Sequence, residues 1–201
     1  MAAPLEFYFD FSSPYAYIAA QRIDAIAARH GRAVDWRPML LGAVFKAEGT
    51  QPLTQYPLKG KYSTHDFNRS AREHGIDFNM PDRFPLPTQA AARAVYWLKQ
   101  EQPAKAVAFI KAVYRAYFVD GRDISAPDTV AAIAGETGID GKALLQAIET
   151  PEMKAKLREV TEDAISNRGV FGAPFVFADG EPFWGADRLD MLDRWLAKGG
   201  W

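Results

Sequence analysis

The sequence predicts an α/β fold in the order βαβ, a long helical block, then ββα. Three observations carry that prediction. Leu5, Phe7, Phe9 and Phe11 alternate with Glu6, Tyr8 and Asp10, the period of a strand, and after Pro14 the apolar residues switch to helical spacing with Tyr17, Ile18, Ile23 and Ile26. Residues 42–168 show no strand pattern and are cut by Pro and Gly into helix-sized runs. Strand chemistry returns only at Pro174–Phe177 and Pro182–Trp184, around the turn Ala178-Asp179-Gly180.

Each element has a local reason. Pro14 suits the first helical position, because its φ is already helical and its missing N–H would have had no intrahelical partner; Ser13 is then the N-cap. His30-Gly31 is a C-terminal stop, and Ala33 to Arg37 alternates as a second strand ending at Pro38. Met39 to Phe45 reads as a short helix, and Glu48 to Pro57, with Gly49, Pro52 and Pro57, as an irregular loop. Lys59 to Gly75 is polar and weakly helical, whereas Met80 to Pro87, with three prolines, is extended. Thr88 is placed to cap Gln89–Gln100, and Pro103 opens Ala104–Phe118. Ser125 with Pro127 and Asp128 begins another helix, Gly141 separates two shorter runs, and Pro151 opens the last of the block, through Arg168. Gly185-Ala186-Asp187-Arg188 opens a final helix with Leu189, Leu192, Trp195 and Leu196 on one face. No repeat or linker appears, so the N-terminal βαβ part (1–41), the helical insertion (42–168) and the C-terminal ββα part (169–201) are expected to form one compact unit.

Composition narrows the function. The 201 residues are 48% hydrophobic, enough for a core. With a net charge of -1 and no long Lys/Arg run, nothing marks a nucleic-acid or membrane footprint, so a small-molecule partner is expected. There is no cysteine, which excludes disulfides and any protein-borne thiol chemistry; a sulfur nucleophile has to arrive as a ligand. His30, His65 and His74 are too scattered for metal-ligand spacing, and no metal is expected. The absence of a leader pattern and of an 18-residue apolar run points to a cytoplasmic protein.

The residue types then point to a site. At a helix start, free N–H groups and the dipole favour an anion, so a thiolate would be held well beside Ser13; taken alone, Ser13-Pro14 reads as a plain cap.

The element order, with a strand-to-helix turn first and a Pro opening the third strand, resembles the thioredoxin superfamily with a helical insertion, as in its DsbA-like branch. Where redox members carry Cys-Pro-x-Cys, this sequence reads Ser13-Pro14-Tyr15-Ala16, which resembles the kappa-class glutathione transferases. Phe9 to Tyr17, Gly169 to Pro174 and Phe183 to Arg188 are most similar to the 2-hydroxychromene-2-carboxylate isomerase family. That resemblance implies glutathione as cofactor, an aromatic carboxylate substrate of naphthalene-type catabolism, and a homodimer. It implies a catalytic Ser13, whose hydroxyl donates to the cofactor's thiolate, and a cis Ala173-Pro174 bond that turns the Ala173 N–H and C=O toward the cofactor. It also implies that the helix start at Trp184, Gly185, Ala186, Asp187 and Arg188 holds the γ-glutamyl group, with Asp187 on its ammonium. Phe45, Lys46, Lys61 and Tyr62 are the candidates for the substrate, either lysine serving to neutralise its carboxylate. Relatives commonly carry Asn where Thr50 stands and another near Pro87, which leaves room for a broader transferase; a non-catalytic relative that only binds thiol ligands is the third reading.

Overall fold

The period-two stretch at the N-terminus becomes the strand on which the sheet is built. In the computed structural model, which describes residues 2–201, β1 (Leu5–Phe9) pairs in parallel with β2 (Val34–Pro38) and antiparallel with β3 (Phe175–Ala178). β3 pairs antiparallel with β4 (Glu181–Trp184), giving the order β2-β1-β3-β4. The alternation in β1 does not mark a solvated face, because Tyr8 is as fully buried as Phe7 and Phe9. Helices cover both faces of a central strand. The strand also ends at Phe9 rather than Phe11: Asp10 breaks the pairing, and its carbonyl accepts the Ser13 N–H at 3.0 Å. Phe11 still enters the core, edge-on to Phe9 at 5.3 Å.

The crossover helix α1 (Pro14–Arg29) starts as expected, with Ser13 extended and its Oγ accepting the Ala16 N–H. The β3–β4 hairpin turns through Asp179 and Gly180, both at positive φ, as a tight two-residue turn requires.

Between β2 and β3 run α2 (Leu41–Ala47), a single 3-10 turn (Leu53–Gln55), α3 (Pro57–Glu73), α4 (Gln89–Glu101), α5 (Pro103–Phe118), α6 (Pro127–Glu136), α7 (Gly141–Ile148) and α8 (Pro151–Ser166). Two details correct the reading of the sequence. Pro57 opens α3 instead of closing a loop, and that helix is regular over 17 residues although it buries only Gly60, Ser63, Phe67 and Ala71. Thr88 occupies the N-cap of α4 without capping it, since its hydroxyl donates to Asp10. A 3-10 turn (Ala186–Arg188) precedes the last helix, α9 (Leu189–Lys198). The largest apolar cluster runs from β1 and α1 through α4 and α5, so the helical block and the sheet share one core.

Candidate active site

The β1–α1 turn, the starts of α2 and α4, one face of α3 and the start of the segment leading to α9 surround a cavity of about 1130 Å³. Ser13 lies in its floor and is 4% exposed. Its hydroxyl accepts the Ala16 N–H at 3.1 Å and donates to the Ala173 carbonyl at 3.1 Å, across 160 residues of sequence. The Ala173-Pro174 bond is cis.

On the hairpin side, the Gly185 N–H donates to the Pro174 carbonyl at 3.0 Å, which ties β4's exit to the cis segment. Gly185 sits at φ 107, and a Cβ there would lie 2.4 Å from Asp187 Oδ1, so the Asp187 carboxylate folds back over the glycine. Gly172 is equally confined: a Cβ would come within 2.5 Å of Trp184 Nε1. Trp184 and Phe171 meet edge-on at 4.8 Å and are both exposed at the cavity wall. Opposite them, the Tyr15 phenol donates to Asp66 at 2.6 Å, and Asp66 is also bonded by Arg69, which donates to the Tyr62 hydroxyl at 2.9 Å. Burial and then the Asp66 carboxylate push the Tyr15 phenol up, which keeps it a neutral donor.

A family model described as a DSBA-like thioredoxin domain matches residues 4–197. The chain is also 31% identical over 198 residues to 2-hydroxychromene-2-carboxylate isomerase of Sphingobium xenophagum, covering 98% of this chain and 99% of that protein. It belongs to the DsbA-like family, on the 2-hydroxychromene-2-carboxylate isomerase branch. A solved structure of such an isomerase matches with a TM-score of 0.87 at 28% identity, over 96% of this chain and 94% of that one. Glutathione S-transferase kappa 1 of Homo sapiens is 25% identical over 206 residues, covering 96% and 91%. Membership of this branch makes the chain an enzyme of the isomerase kind.

In this member of the DsbA-like family, Ser13, Ala173, Trp184, Gly185, Ala186, Asp187, Arg188, Phe45 and Tyr62 all line the cavity, and so do Thr50 and Pro87. Pro174 is buried behind the wall. Arg188 stands 3.6 Å from Asp187, both well exposed. Two expected residues fall elsewhere. Lys46 and Lys61 are exposed and do not line the cavity. Lys61 belongs to the opposite face of α3, with His65, Asn68 and Arg72 along a shallow outer groove. The inward face carries Lys59, Tyr62, Asp66, Arg69 and Glu73, the spacing of one helix face. Lys59, which sequence reasoning passed over, holds its ammonium 5.0 Å over the Tyr56 ring. That spacing was the signal available; reading Tyr62 as lining the site selects Lys59 and excludes Lys61. Asp10, Tyr15 and Asp66 were also missed, because each has a partner on another element, and so was Arg69, whose partners Asp66 and Tyr62 share its helix at a spacing that reads as a surface ion pair. No helix of the described residues is long and apolar enough to cross a membrane.

Proposed function

We propose that the protein is a glutathione-dependent isomerase that interconverts 2-hydroxychromene-2-carboxylate and trans-o-hydroxybenzylidenepyruvate in naphthalene-type aromatic catabolism. The observation that carries this reading is the Ser13 hydroxyl, held at a helix N-terminus between the Ala16 N–H and the Ala173 carbonyl in a chain that has no thiol. The donor set fits glutathione. Gly172 and Gly185 let the Trp184 indole and the Asp187 carboxylate close onto the backbone beside Ser13, and no backbone carbonyl among the described residues takes the Ala173 N–H.

Glutathione, when bound, supplies a sulfur that can add reversibly to a conjugated carbon and so free the former double bond to rotate. The chain positions and stabilises. Ser13 swings its proton from the Ala173 carbonyl to the sulfur, favouring the thiolate by a charged hydrogen bond of about 1.5–3 kcal/mol. Ala173 then offers both its N–H and its freed C=O as a strand edge to the cysteinyl unit. The amides of Ala186 and Asp187, at the start of their turn, serve the γ-glutamyl carboxylate, and the Asp187 carboxylate takes the ammonium. Lys59 replaces Lys46 and Lys61 as the cation for the substrate carboxylate. Of the cavity's other basic side chains, Arg69 is bonded to Asp66, His74 accepts from Arg22, and Arg188 faces Asp187.

A kappa-type transferase that releases the conjugate is the second reading, favoured by Thr50 and Pro87 lining the cavity where relatives commonly carry Asn. Limiting glutathione separates them. An isomerase converts a large molar excess of the chromene carboxylate with glutathione unconsumed, whereas a transferase stops after one equivalent and leaves a thioether visible by mass.

A further inference from the structure

Asp10 is a buried acid that the proposed reaction leaves unused. It is 3% exposed, and the largest influences on its ionisation are burial and its hydrogen bonds from Ser12, Leu41 and Thr88. Its Oδ1 accepts the Ser12 N–H at 2.8 Å, the Ser12 hydroxyl at 2.9 Å and the Thr88 hydroxyl at 2.9 Å, while its Oδ2 accepts the Leu41 N–H at 2.7 Å. Those donors belong to three separate walls of the cavity: the β1–α1 turn, the start of α2 and the start of α4. The backbone of the same residue is held as firmly, its carbonyl accepting from the Ser13 N–H at 3.0 Å and the Tyr114 hydroxyl at 3.2 Å. Two of the carboxylate's four donors are backbone N–H groups, which cannot reverse their role.

We infer that Asp10 is a positioning residue, which clamps the Ser12-Ser13 turn to α2 and α4 and thereby fixes the Ser13 hydroxyl at the reacting sulfur. The inference rests on the glutathione reading above. Burial pushes the Asp10 carboxyl up, and the bonds from Ser12, Leu41 and Thr88 oppose that shift. The other titratable groups that feel its charge are Tyr114 and Tyr117 of α5, both pushed up by burial and neutral.

Asp10→Asn tests the clamp with almost no change of volume. Its amide nitrogen must face either the Leu41 or the Ser12 N–H, donor against donor, so one wall is released. The readout is the ultraviolet thiolate absorbance of bound glutathione against pH. Losing the positioned Ser13 donor raises the titration midpoint by about one pH unit. Removing a nearby negative charge alone would lower it. An upward shift supports the clamp; a downward shift or none overturns it. If Asp10→Asn does not fold, Thr88→Val removes one donor from Asp10 instead. A lowered kcat with KM within about twofold, restored in Thr88→Ser, supports the inference, and a kcat equal to the parent's overturns it. A parent that binds no glutathione would sink the cofactor reading itself, and this inference with it.

Discussion

Ser13→Ala removes one acceptor from the start of α1, so its structural cost is that of a lost cap, about 0.5–2 kcal/mol. Its functional cost is expected to be larger. The thiolate titration of bound glutathione should move up by about one unit, since a charged hydrogen bond is lost; an unmoved midpoint would remove Ser13 from the chemistry. Gly185→Ala is the complementary test at the hairpin. At φ 107 with Asp187 Oδ1 in the way, the added Cβ strains the backbone and displaces the carboxylate at once. Glutathione affinity by calorimetry should fall about tenfold or more, equivalent to at least 1.4 kcal/mol. Gly31→Ala, at positive φ but in open space, should cost stability alone. Ser13 was legible in the sequence because Pro14 at the first helical position marks the cap before it, and Gly185 because it stands where the final helix opens. Asp10 was not legible in the same way: two of its bonds go to partners 31 and 78 residues away, and nothing local announces them.

At the scale of the element, α3 shows how a helix can be legible while its orientation is not. Its polar composition gives no broad apolar stripe, so the sequence marked a helix without telling which lysine faces inward. The structure makes Lys59 and Lys61 a matched pair on opposite faces. Lys59→Gln should raise KM for the aromatic carboxylate about tenfold, as loss of one charge-assisted contact implies, with kcat little changed. Lys61→Gln should leave both constants as they are. Steady-state kinetics decide it, and equal effects of the two substitutions would return the carboxylate to another cation. Thr88 makes the same point in reverse. Local pattern assigned it to its own helix, but a buried carboxylate is the stronger claim on its hydroxyl, and α4 starts without a side-chain cap.

For the whole molecule, the order βαβ, helical block, ββα was readable because the hydrophobic period changes at each junction. The burial of both faces of β1 was not, since it depends on α-helices contributed from distant sequence. On the far side of the sheet from α1, Arg37 bonds Asp35 at 2.6 Å and Glu6 at 2.9 Å, and Lys99 reaches Asp35 at 2.5 Å. Burial raises the Asp35 carboxyl, but Lys99 and Arg37 outweigh it and hold it below its ordinary 3.8. A depressed carboxyl contributes stability above its unfolded value and loses it as pH falls through its folded one, so this contribution fades below about pH 4. Denaturation midpoints measured from pH 6 to pH 3 should therefore drop less steeply in Asp35→Asn than in the parent, although the variant starts lower. A last consequence follows from the place of β1, bonded along both edges and covered on both faces. Its amides trade hydrogen for deuterium only when the entire sheet opens, whereas those of α3, with few buried side chains, are free to trade through local fraying. The hydroxyl floor of the cavity thus hangs from the slowest-exchanging part of the chain and faces one of the faster ones, a rigid anvil beneath a wall that can breathe as ligands come and go.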